Sequence, residues 1–95
     1  MSIYTKITVI TGPGEAPEDL DDHPNGSFVD AIEWVSQTLS ARSGVVLLRM
    51  WFGEQWGGQK TLIRNIGSPQ DTLSAIRTRF PHAWAAWETR CSVRA

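Results

Sequence analysis

The chain has 95 residues, 41% of them hydrophobic and 20% charged, with a net charge of −1. Such a length and composition bound one globular domain with a modest core, and exclude a disordered or collagen-like chain. The near-neutral total hides a division: residues 1–41 hold one base, Lys6, against seven acids, whereas residues 42–95 hold eight bases against three acids. Asymmetry of this kind bears on partners and association rather than on fold. The single cysteine, Cys91, excludes an internal disulfide, and no charged-then-apolar leader or membrane-length apolar run is present. The expectation is therefore a soluble cytoplasmic protein with no membrane partner.

In chain order, residues 3–10 are rich in β-branched side chains and end at Gly12-Pro13-Gly14, which predicts a first strand. Residues 11–26 carry prolines, glycines and acids without periodicity, and read as a long acidic loop. Ser27 is a good N-cap, with Asp30 three residues on, and Phe28, Ile32, Val35 and Leu39 then fall on one helical face. This predicts a helix over 27–43, with Gly44 closing it and Arg42 in its last turn. Residues 45–52 form the strongest strand pattern, 53–58 a hairpin loop and 59–66 a returning strand. Ser68-Pro69-Gln70-Asp71 opens a second helix over 69–80, which Pro81 stops. One further helical turn is expected at 82–87. Thr89, Cys91 and Val93 then alternate with Arg90, Ser92 and Arg94 as a closing strand, with a helix over 83–91 as the alternative.

The order β-α-β-β-α-β in one domain implies an α+β ferredoxin-like sandwich, with two helices on one face of a four-stranded antiparallel sheet. Its expected core holds Phe28, Ile32, Val35, Leu39, Leu48, Met50, Leu73 and Ile76, with the five tryptophans (Trp34, Trp51, Trp56, Trp84 and Trp87) supplying much of the buried area. Strand alternation turns Ile3, Ile7 and Val9 of the first strand, and Val46, Leu48, Met50 and Phe52 of the second, toward the helices. The free face then carries Tyr4, Lys6, Arg49, Trp51, Lys60, Arg64, Arg90 and Arg94, although the third strand is ambiguous.

Aromatics interleaved with bases suit single-stranded nucleic acid, through stacking and phosphate contacts, and equally suit an acidic protein surface. They also suit an exposed sheet on which basic stems cover Trp51. The paired aromatics of the RNA-recognition signature are missing from 3–8 and 60–66. The acidic run at 18–23 fails the spacing of a calcium-binding loop, since Ile32 stands where the terminal glutamate belongs. Gly12-Pro13-Gly14 lacks a phosphate-binding fingerprint, and the acids after it would repel phosphate. His23 and His82 allow no nucleophile–base pairing by spacing, and Cys91 reads as a small buried hydrophobe. Trp84 and Trp87, three apart, read as core or as a ligand wall. No catalytic, metal or cofactor residues are expected.

The reading that follows is a small non-enzymatic protein-binding module, an inhibitor or adaptor. Its acidic loop (Glu15, Glu18, Asp19, Asp21, Asp22) would engage a protein with a basic or nucleic-acid-binding surface. Compact acidic domains of this kind occur among phage-encoded anti-defence proteins, anti-CRISPR proteins included, a likeness of size and charge only. The alternatives are a single-stranded nucleic-acid binder using the aromatic-basic face, and an enzyme of the dimeric α+β barrel type. A homodimer is compatible with each.

Overall fold

Strict alternation of burial along β1 (Ser2–Ile10) shows that one side of the sheet is covered and the other is not. The computed structural model describes residues 2–20, 22–53 and 59–94. Asp21, Glu54 and Trp56 lie outside the described residues, as do the side chains of Gln59 and Arg94. After β1 come β2 (Glu18–Asp19), β3 (His23–Asn25), α1 (Phe28–Leu39), β4 (Val45–Gly53), β5 (Gln59–Gly67), α2 (Pro69–Arg79) and α3 (Pro81–Arg94). The architecture is α+β: three helices and an open antiparallel sheet in the order β2-β1-β4-β5, with β3 also paired to β1.

Two features depart from the ferredoxin-like expectation. The first is that the acidic segment is not a plain loop. Its residues turn back along β1, so that Val9 faces Glu18, Thr8 faces Asp19, Thr5 faces His23 and Ile3 faces Asn25. Between the two short strands the pairing register slips by one residue, which splits a single edge ribbon into β2 and β3. This extra reversal changes the direction in which the chain enters α1. The strand leaving the helix therefore runs antiparallel to β1 and pairs with it directly over its whole length. In a split βαβ unit it would run parallel to β1, with another strand between.

The second departure is the C-terminus, where α3 replaces the closing strand. A closing strand in the expected fold would lie beside β1, and β2 and β3 already hold that edge. Pro81, expected to stop α2, also opens α3: its fixed backbone angle suits a first helical position, and the Phe80 carbonyl accepts from Trp84 N at 2.9 Å. Helix α3 packs on α1 and α2.

The core is aliphatic. Ile3, Ile7, Val9, Ala31, Ile32, Val35, Leu39, Val46, Leu48, Met50 and Ile76 are buried together, with Phe28 and Leu73 partly buried against them. The described tryptophans instead seal its margins. Trp34 stacks on His23, Trp84 meets Trp87 edge-on, and only Trp51 is buried, on the opposite side of the sheet. Helix α1 is shorter than the 27–43 expected. Ser27 caps it by accepting from Asp30 N at 3.1 Å, but it ends at Leu39, and Arg42 lies beyond it. Gly44 stands four residues past the cap at φ +101°, where an added Cβ would lie 2.2 Å from the Ile10 carbonyl oxygen. Close approach of β1 to the turn into β4, rather than helix termination, is what requires glycine there. Helix α2 carries a full capping box between Ser68 and Asp71, with Pro69 at its start.

Candidate functional site: the open sheet face and its acidic edge

Residues directly opposite each other on paired strands share a face, so the register arranges the open side of the sheet in rows. Tyr4 faces Trp51, which faces Thr61; Lys6 faces Arg49, which faces Arg64; Thr8 faces Leu47, which faces Ile66; and Ile10 faces Val45. An aromatic row, a cationic row and an apolar end therefore follow one another along the strands. Ile66 is 71% exposed and Val45 43%. Lys6, Thr8, Leu47, Arg49, Arg64 and Ile66 line an open depression of about 620 Å³ at the centre of this face.

Trp51 lies on this face yet is only 4% exposed. Tyr4 stacks on it at 5.6 Å between ring centroids, and the Arg49 guanidinium lies 4.7 Å above the indole. Gly53 makes the stack possible, because an added Cβ there would meet the Tyr4 ring at 2.3 Å. The indole is thus covered on this side by its own neighbours, as the exposed-sheet reading has it.

A register shift between Met50 and Trp51 leaves Leu62 without a directly opposite partner and inverts the alternation of β5 before it. Lys60 consequently faces Phe52, whose ring packs edge-on against Phe28 in the helix layer. Lys60 therefore belongs to the helix side of β5, not to the open face. Arg90 is also absent from that face. It lies on α3, where its Nη1 donates to Asp30 Oδ1 at 2.8 Å and Glu33 Oε2 at 2.9 Å on α1. Those two bonds, Asp30 first, raise its pKa and hold it protonated. Arg94 belongs to the same helix rather than to a strand. Tyr4, Lys6, Arg49, Trp51 and Arg64 are the members of the expected set that do share the face.

The described acids of the segment expected to be a long loop are each held by a partner, most of them along the β1 edge. Asp19 accepts from Thr8 Oγ1 at 2.9 Å and lies 3.8 Å from Lys6 Nζ, and Asp22 lies 3.9 Å from the same Nζ. Glu18 pairs with Arg42 at 2.9 Å, and Glu15 accepts from Thr11. The side chains of Glu18, Asp19 and Asp22 remain 48%, 60% and 52% exposed, so each is anchored without being hidden. Folding also brings Arg42 and Arg90, from the basic half of the sequence, onto acids of the other half. Lys60, Arg64, Arg77 and Arg79 make no ion pair among the described residues. Sequence reasoning missed this redistribution. Its only local signal was the isolated Lys6 on a strand that a neighbouring acidic segment could join.

His23 stacks on Trp34 at 4.5 Å, and its backbone carbonyl accepts from Thr5 Oγ1 at 3.4 Å, so its ring closes the edge of the core. Cys91, expected to be buried, is exposed on α3. Among the described residues no three His, Cys, Asp or Glu side chains come together to hold a metal ion. No described helix is long and apolar enough to cross a membrane. No protein-family model matches the chain, and neither a curated protein nor a solved structure is similar to it.

Proposed function

We propose that this chain is a small protein-binding module, an inhibitor or adaptor that covers a charged surface of another protein. One observation carries the reading. All the helices that pack on the sheet lie on one side, and the exposed side sets apolar Ile10, Val45, Leu47 and Ile66 beside a cationic row and, at the β1 edge, the carboxylates of Asp19 and Asp22 held near Lys6. An exposed apolar patch set directly beside charged rows offers the mixture of apolar contact and polar pairing that protein interfaces use. Asp19 and Asp22 lie near Lys6 on the open side of the edge ribbon and Glu18 on its other side, with Glu15 in the turn before it, so this edge can present negative charge to a partner with a basic or nucleic-acid-binding surface.

Single-stranded nucleic acid is a weaker reading, because base stacking needs an accessible ring and Trp51 is sealed by Tyr4 and Arg49. The barrel-type enzyme is weaker still. Packing two such faces together would bury Lys6, Arg49 and Arg64 against their copies.

The test begins with a partner captured from the native host and identified by mass spectrometry, followed by binding kinetics with two variants. Combined Glu18→Gln, Asp19→Asn and Asp22→Asn should slow association and flatten its salt dependence. Ile66→Asp should speed dissociation. Stability of either should change by no more than about 1 kcal/mol, because the affected groups are exposed. Unchanged kinetics in both variants would remove this reading. Submicromolar binding to single-stranded RNA or DNA, lost in Arg49→Ala, would put the nucleic-acid reading in its place.

A further inference from the structure

The two edges of the sheet are unlike. The edge beside β1 is broken into strands of two and three residues and carries Pro24, a combination that prevents another strand from pairing there. The other edge is β5, nine residues long, with β4 on its inner side and no strand on its outer side among the described residues. Among the described residues, none of the backbone hydrogen bonds outside the sheet and helices involves β5. Its outward N–H and C=O groups therefore form a row about 30 Å long, available to main-chain partners.

Charge marks what can occupy that row. Arg64 has Arg49 directly opposite on its inner side, so two cations share the open face there. On its outer side it has only the open edge. The register shift at Leu62 places Lys60 on the other face of the same strand, so the edge is flanked by cations above and below. Helix α2 follows β5 through Gly67 and packs back along it with Arg79 in its last turn, while Arg77 lines a groove against α3. Lys60, Arg64, Arg77 and Arg79 make no ion pair among the described residues. Charge on an edge strand ordinarily keeps other strands away. Here the charge is of one sign, so it repels basic strands and favours an acidic one over a neutral one.

We infer that β5 is a docking edge for an extended acidic peptide segment of a partner protein, which adds to the sheet as a further strand. Main-chain hydrogen bonds along β5 supply the binding, and carboxylates against Arg64 on one face and Lys60 with α2 on the other select the sequence. This surface lies at the opposite edge from the acidic ribbon, so it stands or falls separately from the function proposed above.

The experiment uses the intact chain and a fluorescein-labelled peptide of about ten residues, matched to the length of β5, with glutamates on both strand faces among valine and threonine. Fluorescence anisotropy at low salt should show saturable binding that weakens steeply as salt is added. N-methylation of alternate peptide amides, which removes main-chain donors but no charge, should weaken it by about tenfold or more. Lys60→Glu with Arg64→Glu should have a similar effect and should transfer preference to the lysine-containing counterpart. Both sites are exposed, and thermal melting of the double variant checks that the fold survives. Absence of binding to the acidic peptide at low salt would overturn the inference. So would equal binding of the N-methylated peptide, which would mean charge attraction alone. A salt-stable dimer in sedimentation that excludes the peptide would overturn it too, by assigning the edge to a second copy of the chain.

Discussion

Leu47 and Leu48 are neighbours on β4 that the sheet sends to opposite sides, and truncating each to alanine measures how that division is stabilised. Leu48 is 3% exposed, lies directly opposite Ile7 and belongs to the aliphatic core. Leu48→Ala removes three carbons, and at ~0.8 kcal/mol per methylene the transfer loss alone is about 2.4 kcal/mol. A cavity contribution adds to this, because Ile7, Val46 and Met50 are held in paired strands and cannot close fully around the gap. The total should reach about 3–4 kcal/mol. That corresponds to a fall in Tm on the order of 12–30 °C for a domain of this size. Leu47 is half-buried on the open face, and Leu47→Ala should cost about 1 kcal/mol or less. Urea unfolding followed by tryptophan fluorescence gives both values, provided the m-value is unchanged. Equal losses at the two sites, or a loss under about 1 kcal/mol for Leu48→Ala, would refute the assignment of faces and every row built on it.

Two further outcomes follow from the turn into β4 and from the clamp between α1 and α3. Gly44→Ala should destabilise by more than ~2 kcal/mol, since its Cβ would strike the Ile10 carbonyl, whereas Gly14→Ala, at φ +80° with nothing within 4 Å, should cost only ~1 kcal/mol; paired thermal melts check the ranking. Arg90→Gln should leave the sheet intact but speed amide exchange in α3, and high salt should produce part of that effect in the unaltered protein. The pH dependence has a definite sign. Because folding raises the Arg90 pKa, its contribution is fully present below the ordinary guanidinium range and is lost only as pH rises through the still higher folded value. From about neutral to about pH 10, α3 protection should therefore show no loss traceable to Arg90.

Local chemistry was enough to place most elements. Alternation named Ile3, Ile7 and Val9 as the inner side of β1, helical spacing put Ile32, Val35 and Leu39 in the core, and Ser27 and Ser68 marked the helix starts. Such features depend on neighbours within a turn or a strand pair, and the sequence states them directly. Tertiary structure decided what depends on distant partners. The residues of β2 and β3 show no strand periodicity because they form an edge only by borrowing hydrogen bonds from β1, and Glu18, Asp19 and Asp22 are held there by Lys6, Thr8 and Arg42. With β2 and β3 beside β1, the place that a ferredoxin-like closing strand would use is filled, and the alternating residues at the C-terminus form α3 instead, with Arg90 turned to Asp30 and Glu33. The face of Lys60 was likewise fixed by a one-residue shift against β4, because side-chain direction in a sheet reverses at every residue and only pairing sets the phase.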